Sequence, residues 1–485
     1  MTALPDAPRA LAARRVFIDG AFRSALVRLV GGRIAVIEDY DPDAGTAASV
    51  DVSDTPVTVL PDHLTLLPGL VDSHVHLDEP GRTDWEGFET GTAAAAAGGV
   101  TTIVDMPLNS VPVTTTPEAL AEKRGATAGK LAVDIAYWGG AVPENLGLLA
   151  DLAAAGGVGF KCFLMPSGID EFGHLDAEQL EAALAEIAAF DGLLIVHAED
   201  PAHVHDAQTL GPHYEAFLAS RPPESERAAI RLVIDTARRT GARAHIVHVS
   251  DGGALDDIRA AKADGVRLTI ETCPHYLTLR AEDVPDAAGQ FKCCPPIRDA
   301  ANQDLLWQGV VDGTIDAIVS DHSPSTLELK QQGNGDFALA WGGISGLQTG
   351  FSAIWTAARA RGIPLETILP LMTTGPAQIA GLGVAGQIAV GAPAHFAVVD
   401  LDATQTVRAA ELQYRNKMSP WDGRELFGVV EGTYLAGALV YTPEAGVTAR
   451  AGREILTVRT VAHPAPAADA SISGAAMARV EEMHP

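Results

Sequence analysis

The alternation of short apolar runs with helical patterns, from about Pro68 to Ala385, constrains the fold of this chain more than any other feature. Eight of the apolar runs are predicted strands, and they end at His76, Asp105, Ala136, Leu164, His197, Val249, Thr272 and Asp321. Eight strand–helix units over about 300 residues favour an α/β fold of the TIM-type (β/α)8 barrel. A doubly wound open sheet has the same periodicity and stays open as an alternative at this point.

The helices between these strands have recognisable ends. Asp176 and Gln179 stand at the two positions of a capping box, and Leu180, Leu184 and Ile187 then recur at helical spacing. Glycines end several of the helical patterns before the next apolar run. The pattern therefore predicts a helix that begins just after Asp176, and it supports an α/β fold.

The two ends of the chain follow a different pattern, in which short apolar runs are separated by Gly and Asp-Pro turns. The predicted strands are 15–18, 26–30, 34–37 and 57–60 in the first segment, and 387–388, 394–401, 428–433 and 439–441 in the last. We expect segments 1–67 and 386–460 to pair in one discontinuous β domain beside a barrel of residues 68–385. Residues 461–485 are rich in Ala, Pro and Ser, which predicts a flexible tail with a short helix near 477–483.

Lys161 lies in an apolar run, 157–164, that is typical of a buried strand. A bare ammonium is expensive to bury, so such a lysine loses its proton or gains a partner. Burial favours the neutral amine, which can react with CO2 and become an anionic oxygen donor. The alternative is a lysine whose charged end reaches solvent.

His74 and His76 follow an apolar run and are two residues apart, so both imidazoles of this strand point to the same face. The same tripeptide recurs at His203 and His205, but in a polar stretch that no predicted strand precedes. We therefore expect the first pair to bind a metal ion and the second pair to lie at the surface.

His197, His248 and Asp321 lie at the ends of three further predicted strands. A barrel brings the C-terminal ends of all its strands to one face. Six candidate donors would converge there: His74, His76, Lys161, His197, His248 and Asp321. With Lys161 carboxylated and bridging, this mixed donor set suits two divalent ions, with zinc, manganese, cobalt or iron as candidates. Two such ions can share a hydroxide and polarise a carbonyl, while Asp321 moves the proton to a leaving nitrogen.

The remaining histidines near these strands are expected to be structural. His245 is three residues before His248, on the other face of its strand. His322 points away from Asp321 and is expected to support a ligand. His275, at the mouth of the barrel, could orient a ligand or close the core, and the structural role is favoured.

Charge and cysteine content narrow the class of partner and the compartment. The net charge of −28 disfavours nucleic acid and anionic membranes as partners. The four cysteines form no CxxC pair, which fits a reducing cytoplasm, and Cys273, Cys293 and Cys294 lack zinc-site spacing. Residues 1–15 contain no continuous apolar segment, and no apolar run reaches membrane-spanning length. We therefore expect a soluble cytoplasmic protein.

Several motifs resemble those of the cyclic amidohydrolases of the amidohydrolase superfamily, over about residues 15–445. The motifs are HVHLDEPGRTDWEGFETGT (74–92), DMPLNS (105–110), GFKCF (159–163), ETCPHYL (271–277), KCCPPIR (292–298), DHSP (321–324) and DFALAWGGISGLQ (336–348). Dihydroorotases, hydantoinases or dihydropyrimidinases, and allantoinases belong to this branch, and the chain is most similar to the allantoinases.

The resemblance implies a TIM barrel with a small β sandwich and a two-metal site, most commonly zinc, in which Lys161 is N6-carboxylated and bridges the ions. It implies that the same six donors are the ligands and that Asp321 is catalytic. Asn109, Cys294 and Gly342 fall where relatives contact the substrate, a small cyclic ureide. By analogy the chain is expected to form a homotetramer.

Departures from the relatives' motifs bear on the substrate. Dihydroorotase-like sequences carry an arginine where this chain has Asp78, and we expect that carboxylate to repel dihydroorotate. Hydantoinase-like sequences place a tyrosine just beyond the lysine motif, and residues 164–167 contain none. The resemblance therefore implies ring opening of allantoin to allantoate, with Trp85 and Trp341 in supporting segments. A hydantoinase or dihydropyrimidinase, and a non-catalytic scaffold of the same fold, are the alternatives.

Overall fold

The computed structural model describes residues 10–43, 57–205 and 207–456. The predicted flexible tail at 461–485 and the predicted helix near 477–483 lie outside the described residues. No helix in the described ranges combines the length and the apolar character that a membrane crossing requires.

Strands from both ends of the chain build one nine-stranded sheet. Its strands are β1 (Ala10–Ile18), β2 (Ala21–Val30), β3 (Arg33–Asp39), β4 (Val57–Val59) and β5 (Leu64–Pro68). The barrel strands described below intervene before the last four, β15 (Phe396–Thr406), β16 (Glu425–Leu435), β17 (Ala438–Thr442) and β18 (Gly446–Val447). β5 joins the two groups, because it pairs with β1 in parallel and with β15 antiparallel. The predicted discontinuous β domain is confirmed, and the exact domain limits stay a prediction.

The two groups of strands also share an apolar core. Val16 and Leu66 from the first segment pack in one cluster with Phe396 and Tyr434 from the last. Since neither segment can cover its apolar face alone, the pairing of the chain ends follows from burial as much as from hydrogen bonds.

The predicted strand at 387–388 is wrong. Ile388 is buried in the same apolar cluster, but the backbone there is a connection and not a strand. The pairing in this region falls instead to the following residues, where the Ile34 N–H donates to the Ala392 carbonyl at 2.9 Å. The apolar pair therefore indicated burial, and burial alone does not specify an extended backbone.

The central part of the chain forms a closed parallel barrel. Its strands are β6 (Leu70–Val75), β7 (Val100–Asp105), β8 (Asp134–Tyr137) with β9 (Gly139–Gly140), β10 (Phe160–Phe163), β11 (Leu193–His197), β12 (Arg243–Ile246), β13 (Leu268–Thr272) and β14 (Ala317–Ile318). The first and last strands meet where Val75 bridges His322 in parallel and the His76 N–H donates to the His322 carbonyl at 2.7 Å. This closure excludes the open doubly wound sheet and confirms the TIM-type barrel.

Helices surround the barrel strands. They are α1 (Phe88–Ala97), α2 (Pro117–Gly125), α3 (Leu149–Ala154), α4 (Ala177–Ala188), α5 (Tyr214–Ser220), α6 (Pro223–Thr240), α7 (Leu255–Ala263), α8 (Pro274–Thr278), α9 (Ala300–Val311), α10 (Leu327–Lys330), α11 (Gln332–Gly335), α12 (Gly350–Ala360), α13 (Leu365–Ile368) and α14 (Thr374–Ile379). The predicted capping box at α4 is confirmed, since the Gln179 N–H donates to Asp176 Oδ1 at 2.9 Å and the Asp176 N–H donates to Gln179 Oε1 at 3.0 Å.

Candidate metal centre

One cavity of about 420 Å³ opens at the C-terminal ends of the barrel strands. The side chains that line it include all six predicted donors, namely His74, His76, Lys161, His197, His248 and Asp321. They come from five different strands or strand ends, as the barrel geometry requires. The convergence inferred from the strand ends is therefore present in the structure.

His74, His76 and Asp321 form one group of donors, whose candidate ligand atoms lie within 4.8 Å of one another. Asp321 Oδ1 lies 3.1 Å from His74 Nε2 and 3.8 Å from His76 Nε2. Burial lowers the pKa of His74, but the Asp321 and Glu271 carboxylates outweigh it and raise that pKa to about 9. The same two carboxylates that favour a proton on His74 would also attract a metal cation to this group.

His197 and His248 form a second group on the neighbouring strands. His197 Nδ1 lies 3.0 Å from His248 Nε2, and the His197 ring stacks on Phe163 with a centroid distance of 4.6 Å. Burial lowers the pKa of both imidazoles, that of His248 well below its usual value, with the neighbouring charges of Lys161 adding to the effect. Neutral imidazoles are the form that binds metal ions.

Lys161 lies between these two groups on β10 and is buried. Its Nζ lies 5.1 Å from the centroid of the Phe163 ring, and no carboxylate of the described ranges forms an ion pair with it. Burial lowers the pKa of Lys161 to about 8, so a sizeable fraction of the amine is neutral near physiological pH. This is the condition that carboxylation by CO2 requires.

Glu271 on β13 fixes His74 from the interior of the barrel. His74 Nδ1 donates to Glu271 Oε1 at 2.5 Å, and His245 Nε2 donates to Glu271 Oε2 at 2.9 Å. His245 Nδ1 in turn accepts from the Thr269 hydroxyl at 2.9 Å. The expectation that His245 is structural agrees with this position, and the chain of contacts orients His74 Nε2 towards Asp321.

Glu199 fixes His197 in a comparable way. His197 Nε2 donates to Glu199 Oε2 at 2.8 Å, and the same oxygen accepts from Arg221 Nη1 at 2.8 Å. Burial raises the pKa of Glu199, but Arg221 and His197 outweigh it and lower that pKa to about 2. Arg221 also lines the cavity, so this chain of contacts connects the donor group to the cavity wall.

Sequence reasoning missed both glutamates. Glu199 lies two residues beyond His197, on the same side of the chain, and Glu271 precedes Cys273 on a strand that contributes none of the six donors. A charged residue inside an apolar strand was the available signal for Glu271, because such a residue is rarely buried without a partner.

The donors fit a cation by one further test. The ring atoms His76 Nδ1 and His248 Nδ1 are buried and have no hydrogen-bond partner in the described part of the chain. Buried imidazole nitrogens without partners are costly, and ion binding is one way to satisfy them. A set of imidazoles with a carboxylate suits zinc, manganese, cobalt or iron.

Four non-glycine residues near this face of the barrel have a strained backbone. Asp78, Asn109, His248 and Asp321 have left-handed φ angles of 60°, 69°, 42° and 43°. Non-glycine residues adopt this region at a cost, and such residues cluster at functional sites. Two of the four are predicted donors.

The other histidines fall as follows. His203 is partly exposed and His205 is exposed, away from the cavity, which confirms the expected surface position. The His322 ring packs on Tyr414 at 4.9 Å between centroids, and its support of His76 runs through the main-chain carbonyl. His275 is buried behind Asp321.

The three residues predicted to contact a substrate, Asn109, Cys294 and Gly342, all line the cavity. Trp341 lines it as well and contacts Trp85 edge-on, with 5.0 Å between the ring centroids. No tyrosine is present among the described residues that line the cavity.

Asp78 is placed differently from our expectation. It is buried and lies outside the cavity lining, and burial raises its pKa well above the usual range. A carboxyl group in that position does not face a ligand in the cavity, so the expected repulsion of dihydroorotate by Asp78 is wrong. The absence of the arginine that dihydroorotase-like sequences carry at this position still disfavours dihydroorotate as the substrate.

Comparison with known proteins identifies the relatives. Residues 65–440 match the model of the Amidohydrolase family. The chain is 52% identical to an allantoinase of Streptomyces avermitilis over 436 residues, which is 90% of this chain and 95% of that one. It is 44% identical to an allantoinase of Saccharomyces cerevisiae over 391 residues, which is 79% of this chain and 84% of that one.

Among solved structures, the L-hydantoinase (dihydropyrimidinase) of Arthrobacter aurescens superposes with a TM-score of 0.84 at 28% identity. The superposition covers 93% of this chain and all of that one (100%). The barrel and the β domain therefore keep the same arrangement as in that enzyme.

Proposed function

The chain belongs to the amidohydrolase family, and from this premise we propose that it hydrolyses the cyclic amide of allantoin to give allantoate. The observation that carries the proposal is the convergence of six donors from five strands around one cavity. The allantoinases of Streptomyces avermitilis and Saccharomyces cerevisiae match 90% and 79% of the chain, which supports allantoin among the cyclic ureides.

We propose that His74, His76, Lys161, His197, His248 and Asp321 would hold two divalent ions, most commonly zinc, with manganese, cobalt or iron as other candidates. Lys161 would take part as the N6-carboxylated anion. When bound, such a pair of ions lowers the pKa of a water molecule and polarises the carbonyl that this water attacks.

Asp321 is the residue that moves the proton. It takes a proton from the attacking water as the carbon–oxygen bond forms, and it donates that proton to the ring nitrogen as the carbon–nitrogen bond breaks. Burial raises the pKa of Asp321, but the nearby imidazoles outweigh it and hold that pKa well below its usual range. Asp321 is therefore a carboxylate at the start of the reaction, as a proton acceptor must be.

The cavity wall positions the ring. Asn109, Cys294 and Gly342 lie within it and are proposed substrate contacts, and the Trp341 indole offers an apolar face to a planar ureide. Met165, next to the missing tyrosine position, takes part in the same wall.

The test is a substrate screen with purified protein supplied with divalent metal and bicarbonate. Allantoin is expected to be opened faster than hydantoin, dihydrouracil and dihydroorotate, with allantoate measured directly. Turnover of plain hydantoin without turnover of allantoin would instead establish a hydantoinase, which the likeness to the Arthrobacter aurescens enzyme favours as the second candidate. Metal content near zero, with no turnover of any of the four, would indicate a scaffold without catalysis.

The assembly and the compartment belong to the same proposal. We propose a homotetramer in the cytoplasm, with barrel limits at 68–385, and no nucleic-acid or membrane partner. The net charge of −28 supports the absence of anionic partners. Sedimentation of the metal-loaded protein measures the number of subunits.

A further inference from the structure

A second group of potential ligands lies behind the first. Cys273 Sγ, a ring nitrogen of His275 and a carboxylate oxygen of Asp321 all lie within 4.8 Å of one another, and all three residues are buried. Cys273 lies just before α8 and His275 is the second residue of that helix, directly beyond β13, and Asp321 follows β14, the neighbouring strand. The barrel therefore brings the three together.

The lack of hydrogen-bond partners for the buried His275 ring requires an explanation. Both of its ring nitrogens are buried and have no hydrogen-bond partner in the described residues. Its ring is buried and packs on the Tyr276 ring, with 4.2 Å between centroids. A fixed, buried imidazole without partners is costly unless something else binds it.

We propose that Cys273, His275 and Asp321 form a separate site for one thiophilic cation, such as Cd²⁺ or excess Zn²⁺. A thiolate, an imidazole and a carboxylate are the donors that zinc takes in proteins, with the sulfur favouring softer ions over Mg²⁺ or Ca²⁺. In a tetrahedral zinc site the ligand atoms lie about 3.4–3.6 Å apart. The observed separations of up to 4.8 Å therefore require shifts of about 1 Å.

The cation binds to the sulfur as the thiolate, and the thiol proton is released to solvent. No bond is oxidised or reduced in this step. The sequence spacing that is typical of zinc sites applies to ligands from one local loop. It does not apply to Cys273 here, because the third ligand, Asp321, follows another strand.

Because the proposed cation site shares Asp321 with the first donor group, cation binding there affects the hydrolysis. Asp321 belongs both to this triad and to the group with His74 and His76. A cation bound between Cys273 and His275 draws Asp321 away from the proton transfer, so occupation of this site inhibits the hydrolysis. This inhibition rests on the proposed function, whereas the binding of the cation does not.

Spectroscopy separates the two sites because the six catalytic donors contain no sulfur. The zinc-loaded protein is titrated with Cd²⁺, and the ultraviolet charge-transfer band of cadmium–thiolate bonds is recorded together with the bound cadmium. We expect the band to saturate at one Cd²⁺ per subunit and allantoin turnover to fall in parallel.

Variants decide which thiol is responsible. Removing an outer partner of a metal ligand costs ~10–100-fold in affinity. Loss of a direct ligand in Cys273→Ser should therefore weaken cadmium binding by at least about 100-fold and abolish the band. Cys162→Ser removes another buried thiol and is the matched control, in which the band should persist.

His275→Gln keeps the thiol and should weaken binding by about 10-fold or more, and it decides the question if Cys273→Ser does not fold. A band that survives in Cys273→Ser, or that disappears in Cys294→Ser instead, overturns the proposal. So does unchanged cadmium affinity in His275→Gln. Failure of allantoin hydrolysis would be seen separately in the untreated protein, since the band requires no substrate.

Discussion

The two donor groups of the candidate metal centre are supported in different ways. His74 lines the cavity and is held by Glu271, which is held by His245, and His245 in turn contacts Thr269. Glu271, His245 and Thr269 are not among the residues that line this cavity. His197 is held by Glu199, which pairs with Arg221 at the cavity wall.

The difference is one of access and of charge. The Glu271 chain of contacts ends in the His245 imidazole and the Thr269 hydroxyl, whereas the Glu199 chain ends in the Arg221 guanidinium, which stays charged at every accessible pH. We infer that the support of the first group is sealed from the cavity and sensitive to proton uptake, and that the support of the second is open to whatever enters the cavity. The predictions below test that contrast, beginning with the residue that would join the groups.

Lys161→Ala removes the proposed bridge between the groups and should have the largest effect. We expect turnover to fall by about 1,000-fold or more, because metal activation of water supplies several kcal/mol of the barrier reduction. Small carboxylic acids should restore part of the activity by standing in for the carbamate, as measured by allantoate formation with added acetate or propionate. Full activity without added acid would remove Lys161 from the site.

Asp321→Asn should separate binding from proton transfer. The amide oxygen can still face a cation but cannot take a proton, so we expect metal content to stay and kcat to fall by ~10²–10⁴-fold. Metal analysis and steady-state kinetics on one preparation check both halves. An unchanged kcat would exclude Asp321 as the proton acceptor.

Glu271→Gln and Glu199→Gln form the direct comparison between the groups. Each removes the charge that orients one histidine, and each should lower metal affinity by ~10–100-fold. Arg221→Met should reproduce the Glu199→Gln loss, since it leaves Glu199 buried without its cation, and it should do so without affecting the His74 group. Competition with a chelator measures the affinities, and equal losses in Arg221→Met and in its Arg221→Lys control would contradict the proposed chain.

Alkaline pH should distinguish the groups in the metal-free protein. The pKa of His74 is raised to about 9 from an ordinary value of about 6.5, so its contribution to stability is complete below about 6.5 and is lost as the pH rises through 9. The pKa of His197 is lowered, so that group gives no such loss. We expect the free energy of unfolding, from urea titrations, to fall by on the order of 1–3 kcal/mol over this window. Glu271→Gln should shrink that fall, and Glu199→Gln should leave it.

The barrel could be predicted from the sequence because several of its strands are apolar runs that end in a histidine or an aspartate. His76, His197 and Asp321 each close an apolar run, and the fold alone brings such ends to one face. The capping box at Asp176 could also be predicted, because its two partners are only three residues apart in the sequence.

What the sequence could not supply were contacts between residues far apart in the chain. Glu271 meets His74 across 197 positions, and no local pattern records that pairing. The burial of Asp78 was missed because its position next to a ligand motif suggested that it faces the cavity. The apolar pair at Ile388 was read as a strand because burial and extension share one pattern over two residues.

The position of β5 between β1 and β15 has a consequence for synthesis. A ribosome delivers β1 and β5 more than three hundred residues before β15. One flank of β5 therefore stays open while the whole barrel emerges, and the sheet is completed only when the last strands leave the exit tunnel. During this interval the unpaired edge of β5 can pair with strands of other chains, the hazard that every open strand edge carries.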